Sequence, residues 1–401
     1  MKKIRKIRLK DILAIFKFLL AYPISKIYKL FRKDLWLFCE NGLEGRDNAY
    51  WLFKYTNENL ELDTVFVISE RSPDYERVNQ IGKTIEPFTL KHWIFYLTAI
   101  ANISTHKGGK PNAAVCYILE VKLKMSNNRI FLQHGITLSD AKWLYYKNTN
   151  MSMFICASKA EFKFIEEKFG YPKDNLKLLG FSRFDTLPRQ RSNNKDMSIL
   201  IMPSWRNWLI KNPDVESVSE KETKKFIESE FYKKWNQFLN DERLKYYLDQ
   251  GIEIKFFPHR NIQPFLSAFE NNNGITMCDW RDYDIQEELK SNRILLTDYS
   301  SVFLDFSYMN KPVIYYQFDQ REFREKQYQE GYFNYEKNGF GPVVTHKENV
   351  FSSLNKIIEN NCELEKIYID RIDDFFCYRD KNNSKRITSA ILEFTQKEAV
   401  K

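Results

Sequence analysis

RILLTDYSSVFLDFSYMNKPVIYY, residues Arg293–Tyr316, holds a complete strand–helix–strand crossover. Ile294–Leu296 is an apolar run that reads as a buried strand, and Thr297–Ser301 is a polar turn. Val302, Phe303, Phe306 and Met309 then recur at helical spacing. Asn310–Pro312 stops the helix, and Val313–Tyr316 is a second strand of β-branched and aromatic residues. Ser300 and Ser301 fall where the helix begins, at the carboxyl end of the first strand. Such a start suits an anion, because unpaired N–H groups and the positive end of the helix dipole point at one spot. Ordinary N-capping is the alternative reading of the two serines.

The same unit recurs along the chain. Apolar runs at Leu35–Cys39, Val65–Ser69, Ala101–Ser104, Ile130–Gln133, Met153–Cys156, Ile199–Met202, Ile252–Phe257 and Ile294–Leu296 alternate with helical segments. Those segments are Asn48–Tyr55, Leu90–Ala99, Lys159–Phe169, Lys224–Leu239 and Ile285–Lys290. Strand alternating with helix predicts parallel sheets covered on both faces. With 401 residues, 43% of them hydrophobic, the chain is long enough for two domains. The polar stretch Gln190–Met197 reads as the boundary, giving residues 34–190 and 191–401 as two Rossmann-like, doubly wound halves. Several strands are followed at once by polar residues: His134, Ser158, Ser204–Arg206, His259–Arg260 and Thr297–Ser301. Open α/β sheets bind ligands at that edge.

The charge of +9 is concentrated. Residues 1–33 carry eleven Lys and Arg against Asp11, so residues 34–401 sum to about −1, which argues against a basic nucleic-acid groove. Ile12–Ile24 is apolar but interrupted by Lys17 and Pro23 and falls short of the roughly 20 residues of a spanning helix. The flanking cations suggest a helix lying on anionic lipid at the cytoplasmic face of the membrane; a solvated basic helix packed on the body is the alternative. Six scattered cysteines have no zinc spacing and read as reduced thiols of a cytoplasmic protein. Asp282-Tyr283-Asp284 reads as a cap for the helix Ile285–Lys290 rather than a metal motif. THKGGK, Thr105–Lys110, lacks the spacing of a P-loop. His106 follows a strand and is a candidate acceptor contact.

Taken together, TDYSSVFLDFSYMNKPVIYYQFD, FLQHGIT (Phe131–Thr137), FFPHR (Phe256–Arg260), GFSRFD (Gly180–Asp185), PSWR (Pro203–Arg206) and GRDNAYWLFKY (Gly45–Tyr55) resemble the motifs of the CDP-glycerol glycerophosphotransferases of teichoic acid synthesis. The resemblance runs from about Asp34 to about Pro342. Ser182 stands where the family pattern usually has proline. The resemblance implies a GT-B fold, two Rossmann-like domains facing a cleft, with the acceptor on the first and the CDP donor on the second. The implied reaction moves glycerol phosphate from CDP-glycerol to a hydroxyl of a membrane-linked teichoic acid or capsule glycan, releasing CMP. CDP-ribitol is the nearest alternative donor, since the motifs meet the shared CDP half. A nucleotide-sugar glycosyltransferase and a non-catalytic assembly scaffold are the rival classes.

On the same resemblance His134 is the general base, a task suited to an imidazole that titrates near working pH, and Gly135 lets backbone approach the ligand. His259 and Arg260 are read as neutralising the departing CMP, Arg through its planar fork, with Ser300, Ser301 and Arg183 also on the donor. Asp298 orients His259 or a ribose hydroxyl, or else fixes its turn. Trp205 and Arg206 stay open between scaffold and donor site. Asp47–Asn48 caps the first helix. No metal cage is legible; Mg²⁺ accompanying the diphosphate is the alternative to metal-free transfer.

Overall fold

The computed structural model describes residues 8–106, 109–188, 197–210 and 217–400. The chain divides into two units. One comprises Met1–Ile136, Ala141–Thr186 and Phe376–Lys401, the other Thr137–Asp140 and Leu187–Phe375.

The first unit is built on β1 (Trp36–Cys39), β2 (Thr64–Val67), β3 (Thr84–Ile85), β4 (Ala101–Ser104), β5 (Arg129–Phe131), β6 (Met153–Cys156) and β7 (Leu176–Leu178). Their order is β3-β2-β1-β4-β5-β6-β7, every neighbouring pair parallel. All residues of β1, β2, β4 and β6 are buried, as a sheet covered on both faces requires. The alternation of β1 shows both faces at work: Trp36 and Phe38 enter one core, Leu37 and Cys39 the other.

The second unit is built on β8 (Ser198–Met202), β9 (Glu253–Phe256), β10 (Thr276–Met277), β11 (Ile294–Thr297), β12 (Val313–Tyr316) and β13 (Val343–Val344). These too are all parallel, in the order β10-β9-β8-β11-β12-β13. The crossover read first forms as expected: β11, the helix Val302–Tyr308 and β12, with Leu295 opposite Val313. The sheets reverse direction between β1 and β4, and between β8 and β11. Those are the switch points at which doubly wound sheets open a crevice.

Three expectations need correction or restriction. The break Gln190–Met197 lies, apart from Met197, outside the described residues. Residues 376–401, expected in the second half, group with the first unit. Asp185 accepts hydrogen bonds from the backbone N–H groups of Asn383 (2.9 Å) and Ser384 (2.7 Å), tying down the start of the helix Asn383–Val400. Ile387 and Ile391 then enter the first core. Gly180, at φ +82°, makes room for this return: a Cβ there would lie 1.9 Å from Asn383 Oδ1. Finally, Lys224–Leu239 is two helices, Glu220–Ile227 and Glu230–Leu239, because Ser229 Oγ accepts from Tyr232 N–H (3.1 Å) and starts a new one.

Within the arm, Leu9–Phe31 is one helix with Pro23 inside it. It packs on the helix Leu90–Thr98 through its small face: Ala14, Ala21 and Ser25 are buried, and Phe18 meets Trp93 edge to face. Phe16, Leu19, Leu20, Ile27, Leu30 and Phe31 stay exposed. No described helix is long and apolar enough to cross a membrane.

Candidate active site

Three turns of the first unit converge on one histidine. Asp47 stands in the turn after β1 and starts the helix Asn48–Asn59, its Oδ1 accepting from Asn48 N–H (2.7 Å). Its Oδ2 lies 2.9 Å from His134 Nδ1. Arg183 donates to Asp47 Oδ1 (2.8 Å) and, from the same nitrogen, to the His134 carbonyl (3.0 Å). Asn48, fully buried, joins the three: its Nδ2 donates to the Gln133 carbonyl (2.8 Å), its Oδ1 accepts from Arg183 N–H (3.1 Å), and its carbonyl accepts from Ser182 Oγ (2.7 Å). GRDN, QHG and GFSR thus form one hydrogen-bonded assembly. Ser182, standing where the resembled pattern has proline, supplies one of its bonds.

The electrostatics follow from that geometry. Burial would raise the Asp47 carboxyl, but the Arg183 guanidinium first, and then the His134 hydrogen bond, outweigh it and hold it at about 2. Partial desolvation of the ring, whose side chain stays largely exposed, would lower His134; the Asp47 hydrogen bond and charge overcome this and leave the imidazole more basic than usual. Glu44 adds to the rise and Arg183 opposes it. His106, in the turn after β4, places its ring centroid 4.9 Å from that of His134. Burial and then the neighbouring His134 hold it down at about 4, so it is neutral at pH 7. Two adjacent imidazoles are therefore driven apart, the pattern of a site with assigned proton roles. Behind Asp47, the buried Glu40 accepts from the N–H groups of Arg46, Asp47 and Tyr50.

Gln133 carries the least expected feature. Its backbone is left-handed (φ +62°) although it is not glycine, and its side chain is buried. Gly135 follows His134 at a half-buried position, after the left-handed turn has already been made.

In the second unit, His259 and Arg260 follow β9, both half-buried. His259 Nδ1 accepts from Asn261 N–H (3.1 Å), and its ring stacks on Trp205 with centroids 6.1 Å apart. The Arg260 guanidinium lies 3.2 Å over the Trp280 ring, a cation held in place by an aromatic face. Ser300 and Ser301 are half-buried where the helix Val302–Tyr308 begins, and the Ser301 side chain makes no cap bond.

Arg206 and Asp298 require a correction. Both side chains are 0% exposed, which leaves no surface for a donor molecule. Arg206 Nη2 meets Asp298 Oδ2 at 2.9 Å, and Arg206 Nε meets Asp319 Oδ2 at 2.7 Å. Asp298 Oδ1 accepts from the N–H groups of Ser204 (2.8 Å) and Tyr299 (2.6 Å). This is the turn-fixing alternative for Asp298 and the scaffold alternative for Arg206: a guanidinium taken out of water is stable only when paired. Asp319, 113 residues from Arg206, is a partner that no local spacing announces. The sequence marks Asp47 only as a cap and His106 as a strand-end candidate for contact with the acceptor, and does not mark Trp280 at all. A carboxylate at a strand end opposite a QHG turn is the signal that would have found the first. Among the described residues, no group of three or more His, Cys, Asp or Glu is placed to hold a metal ion.

Two parallel sheets whose strand order switches direction, each carrying polar side chains at its switch point, make up a GT-B-like α/β fold. The family described as CDP-Glycerol:Poly(glycerophosphate) glycerophosphotransferase matches residues 20–393, and the chain belongs to it. Among relatives, the minor teichoic acid biosynthesis protein GgaB of Bacillus subtilis (strain 168) is 34% identical over 394 residues, 97% of this chain and 43% of that protein. The chain therefore spans less than half the length of that relative. The teichoic acid glycerol-phosphate transferase of Staphylococcus aureus (strain NCTC 8325 / PS 47) is 20% identical over 391 residues, covering 88% of this chain and 91% of that one. A variant of the wall teichoic acid polymerase TagF soaked with CDPG superposes with a TM-score of 0.66 at 16% identity, covering 97% and 98% of the two chains. At that identity the likeness is one of fold.

Proposed function

We propose that the chain transfers glycerol phosphate from CDP-glycerol to a hydroxyl of a membrane-linked teichoic acid or capsule glycan, releasing CMP. The observation that carries this reading is the Asp47–His134 pair, set beside membership of the family. With Nδ1 turned to Asp47, the other ring nitrogen is the one that takes the acceptor proton. The acceptor oxygen forms its bond to the phosphorus nearer the glycerol, the bond from that phosphorus to the CMP oxygen breaks, and the proton passes to His134. Negative charge builds on CMP as it leaves. The Trp280-backed Arg260 is the cation that meets it; His259, whose Nδ1 accepts from Asn261 N–H, donates from its other ring nitrogen, and the half-buried Ser300 and Ser301 donate to the same diphosphate. Arg183 serves by holding Asp47 and the His134 carbonyl, and Arg206 and Asp298 by fixing the turns that carry the donor contacts. Mg²⁺ accompanying the diphosphate is not required on this reading.

The arm places the enzyme at the cytoplasmic face of the membrane, where a lipid-linked acceptor is found. Supporting this, the helix Leu9–Phe31 buries Ala14, Ala21 and Ser25 and leaves Phe16, Leu19, Leu20, Ile27, Leu30 and Phe31 exposed, between basic ends suited to anionic lipid. The test is CMP release by purified protein from CDP-glycerol and CDP-ribitol in parallel, on a membrane acceptor extract, with and without EDTA, and with His134→Ala as control. Release from CDP-glycerol that persists in EDTA and disappears in the variant is expected. Silence with both donors, or release from nucleotide sugars alone, overturns the reading.

A further inference from the structure

We propose that Gln133 is the positioning residue for His134, with the buried Glu161 as its anchor: a side-chain clamp that forces a left-handed peptide and so aims the imidazole at Asp47. The argument starts from the strand. β5 (Arg129–Phe131) runs extended, and Leu132 N–H still bonds the Ser104 carbonyl (2.9 Å) as a continuation of the sheet. Two residues later His134 must face Asp47, so the chain turns at Gln133, at φ +62°. A side-chain-bearing residue adopts that conformation only where its surroundings over-determine it. Glycine would adopt it at no steric cost, so a glutamine there points to work done by the side chain.

That work is visible. Gln133 is 1% exposed. Its Nε2 donates to the Ile155 carbonyl (2.6 Å) on β6 and to Glu161 Oε1 (2.8 Å) on the helix Lys159–Lys168. Its own carbonyl accepts from Asn48 Nδ2 (2.8 Å). Both amide hydrogens and the peptide oxygen are engaged by three different elements. Glu161, wholly buried, is fixed in turn: Oε2 accepts from Ala157 N–H (2.9 Å), and its N–H donates to Ser158 Oγ (3.1 Å). The clamp therefore runs from the turn after β6, through Glu161 and Gln133, to His134 and Asp47.

The inference rests on His134 acting as base, and its experiment reads the clamp separately from activity. In Gln133→Gly the backbone is relieved and the clamp removed, so the protein is expected to fold. Two quantities are followed: the titration of His134 by NMR of labelled imidazoles, assigned with His134→Asn, and CMP release as a function of pH. Loss of aim weakens the bond to Asp47, so the His134 pKa falls toward the ordinary 6.5. On the same ground kcat falls by at least about tenfold, with KM for the donor within about twofold. A merely structural role lowers the melting temperature and leaves the His134 titration in place, and that result overturns the proposal. Should Gln133→Gly fail to fold, Glu161→Gln is read instead. Its single amide oxygen cannot serve both Ala157 N–H and the Gln133 amide, so a smaller fall of the His134 pKa is expected, and an unmoved one refutes the clamp. If the pKa moves while the wild type releases no CMP, the clamp stands and the proposed reaction falls.

Discussion

Asp47→Asn is the sharpest test of the proton chemistry, because the carboxylate uses its two oxygens on two different partners. Oδ1 takes Arg183 (2.8 Å) and Oδ2 faces His134 Nδ1 (2.9 Å). An amide keeps one oxygen. With that oxygen held by Arg183, the NH₂ faces His134 and makes Nδ1 an acceptor, placing the ring proton on the nitrogen that should receive one from the acceptor hydroxyl. The magnitude has two parts. A charge-assisted hydrogen bond contributes about 1.5–3 kcal/mol, or about ten- to 150-fold in rate. The His134 side chain is 64% exposed, so solvent screening draws the direct electrostatic part to the lower end. The inverted tautomer adds to it, and general-base loss is of order 10²–10⁴-fold; a fall in kcat of about 10²-fold is the expected outcome.

The pH profile carries an independent sign. Asp47 raises the pKa of His134, and the base must be neutral to work, so the acidic limb of kcat lies above the ordinary histidine value in the wild type. In the variant that limb moves to lower pH. The assay is CMP release from CDP-glycerol across pH, with circular dichroism to confirm folding. A kcat within about twofold of wild type, together with an unmoved limb, would refute the His134–Asp47 mechanism.

Other expectations follow from the same contacts. Arg206→Met leaves Asp298 and Asp319 buried beside each other without a cation, and urea titration should show a loss of about 3–5 kcal/mol; a loss below about 1 kcal/mol contradicts the scaffold role. Arg260→Lys exchanges a planar fork for a point charge, so KM for the donor should rise by about tenfold or more, and an unchanged KM removes Arg260 from the donor site. Phe16→Glu with Leu20→Glu, both on the outward face of the arm, should abolish flotation with anionic vesicles while the melting temperature holds; continued flotation sinks the membrane reading. Because the folded pKa of Asp47 is depressed to about 2 from 3.8, the stability it confers is present above 3.8 and is lost as pH falls toward 2. Acid titration of Asp47→Asn beside wild type should therefore converge in that window.

What the sequence made legible follows the range of the forces involved. The crossover Arg293–Tyr316 could be read residue by residue, because apolar runs, helical spacing and the Asn-Lys-Pro stop are local signals. The convergence on His134 was legible only as far as strand ends collect at one sheet edge. Three features were set by partners distant in sequence. Arg206 and Asp298 looked like donor contacts because polar residues after strands usually are, and only Asp319, across the fold, reveals them as a buried triad. Gln133 offers no glycine or asparagine to advertise a left-handed turn, since the conformation is imposed by Glu161 and Asn48. The terminal helix Asn383–Val400 looked like part of the second half by adjacency alone, and Asp185 is what recruits it to the first.

That recruitment sets an order of events during synthesis. Residues 376–401 leave the ribosome after the whole of the second unit, yet Ile387 and Ile391 complete the core that underlies β1. Of the two units, the one begun earlier is thus completed later: until the helix Asn383–Val400 emerges, the face of the sheet covered by Ile387 and Ile391 stays open to water. The protein should acquire its second unit before its histidine site is fully formed.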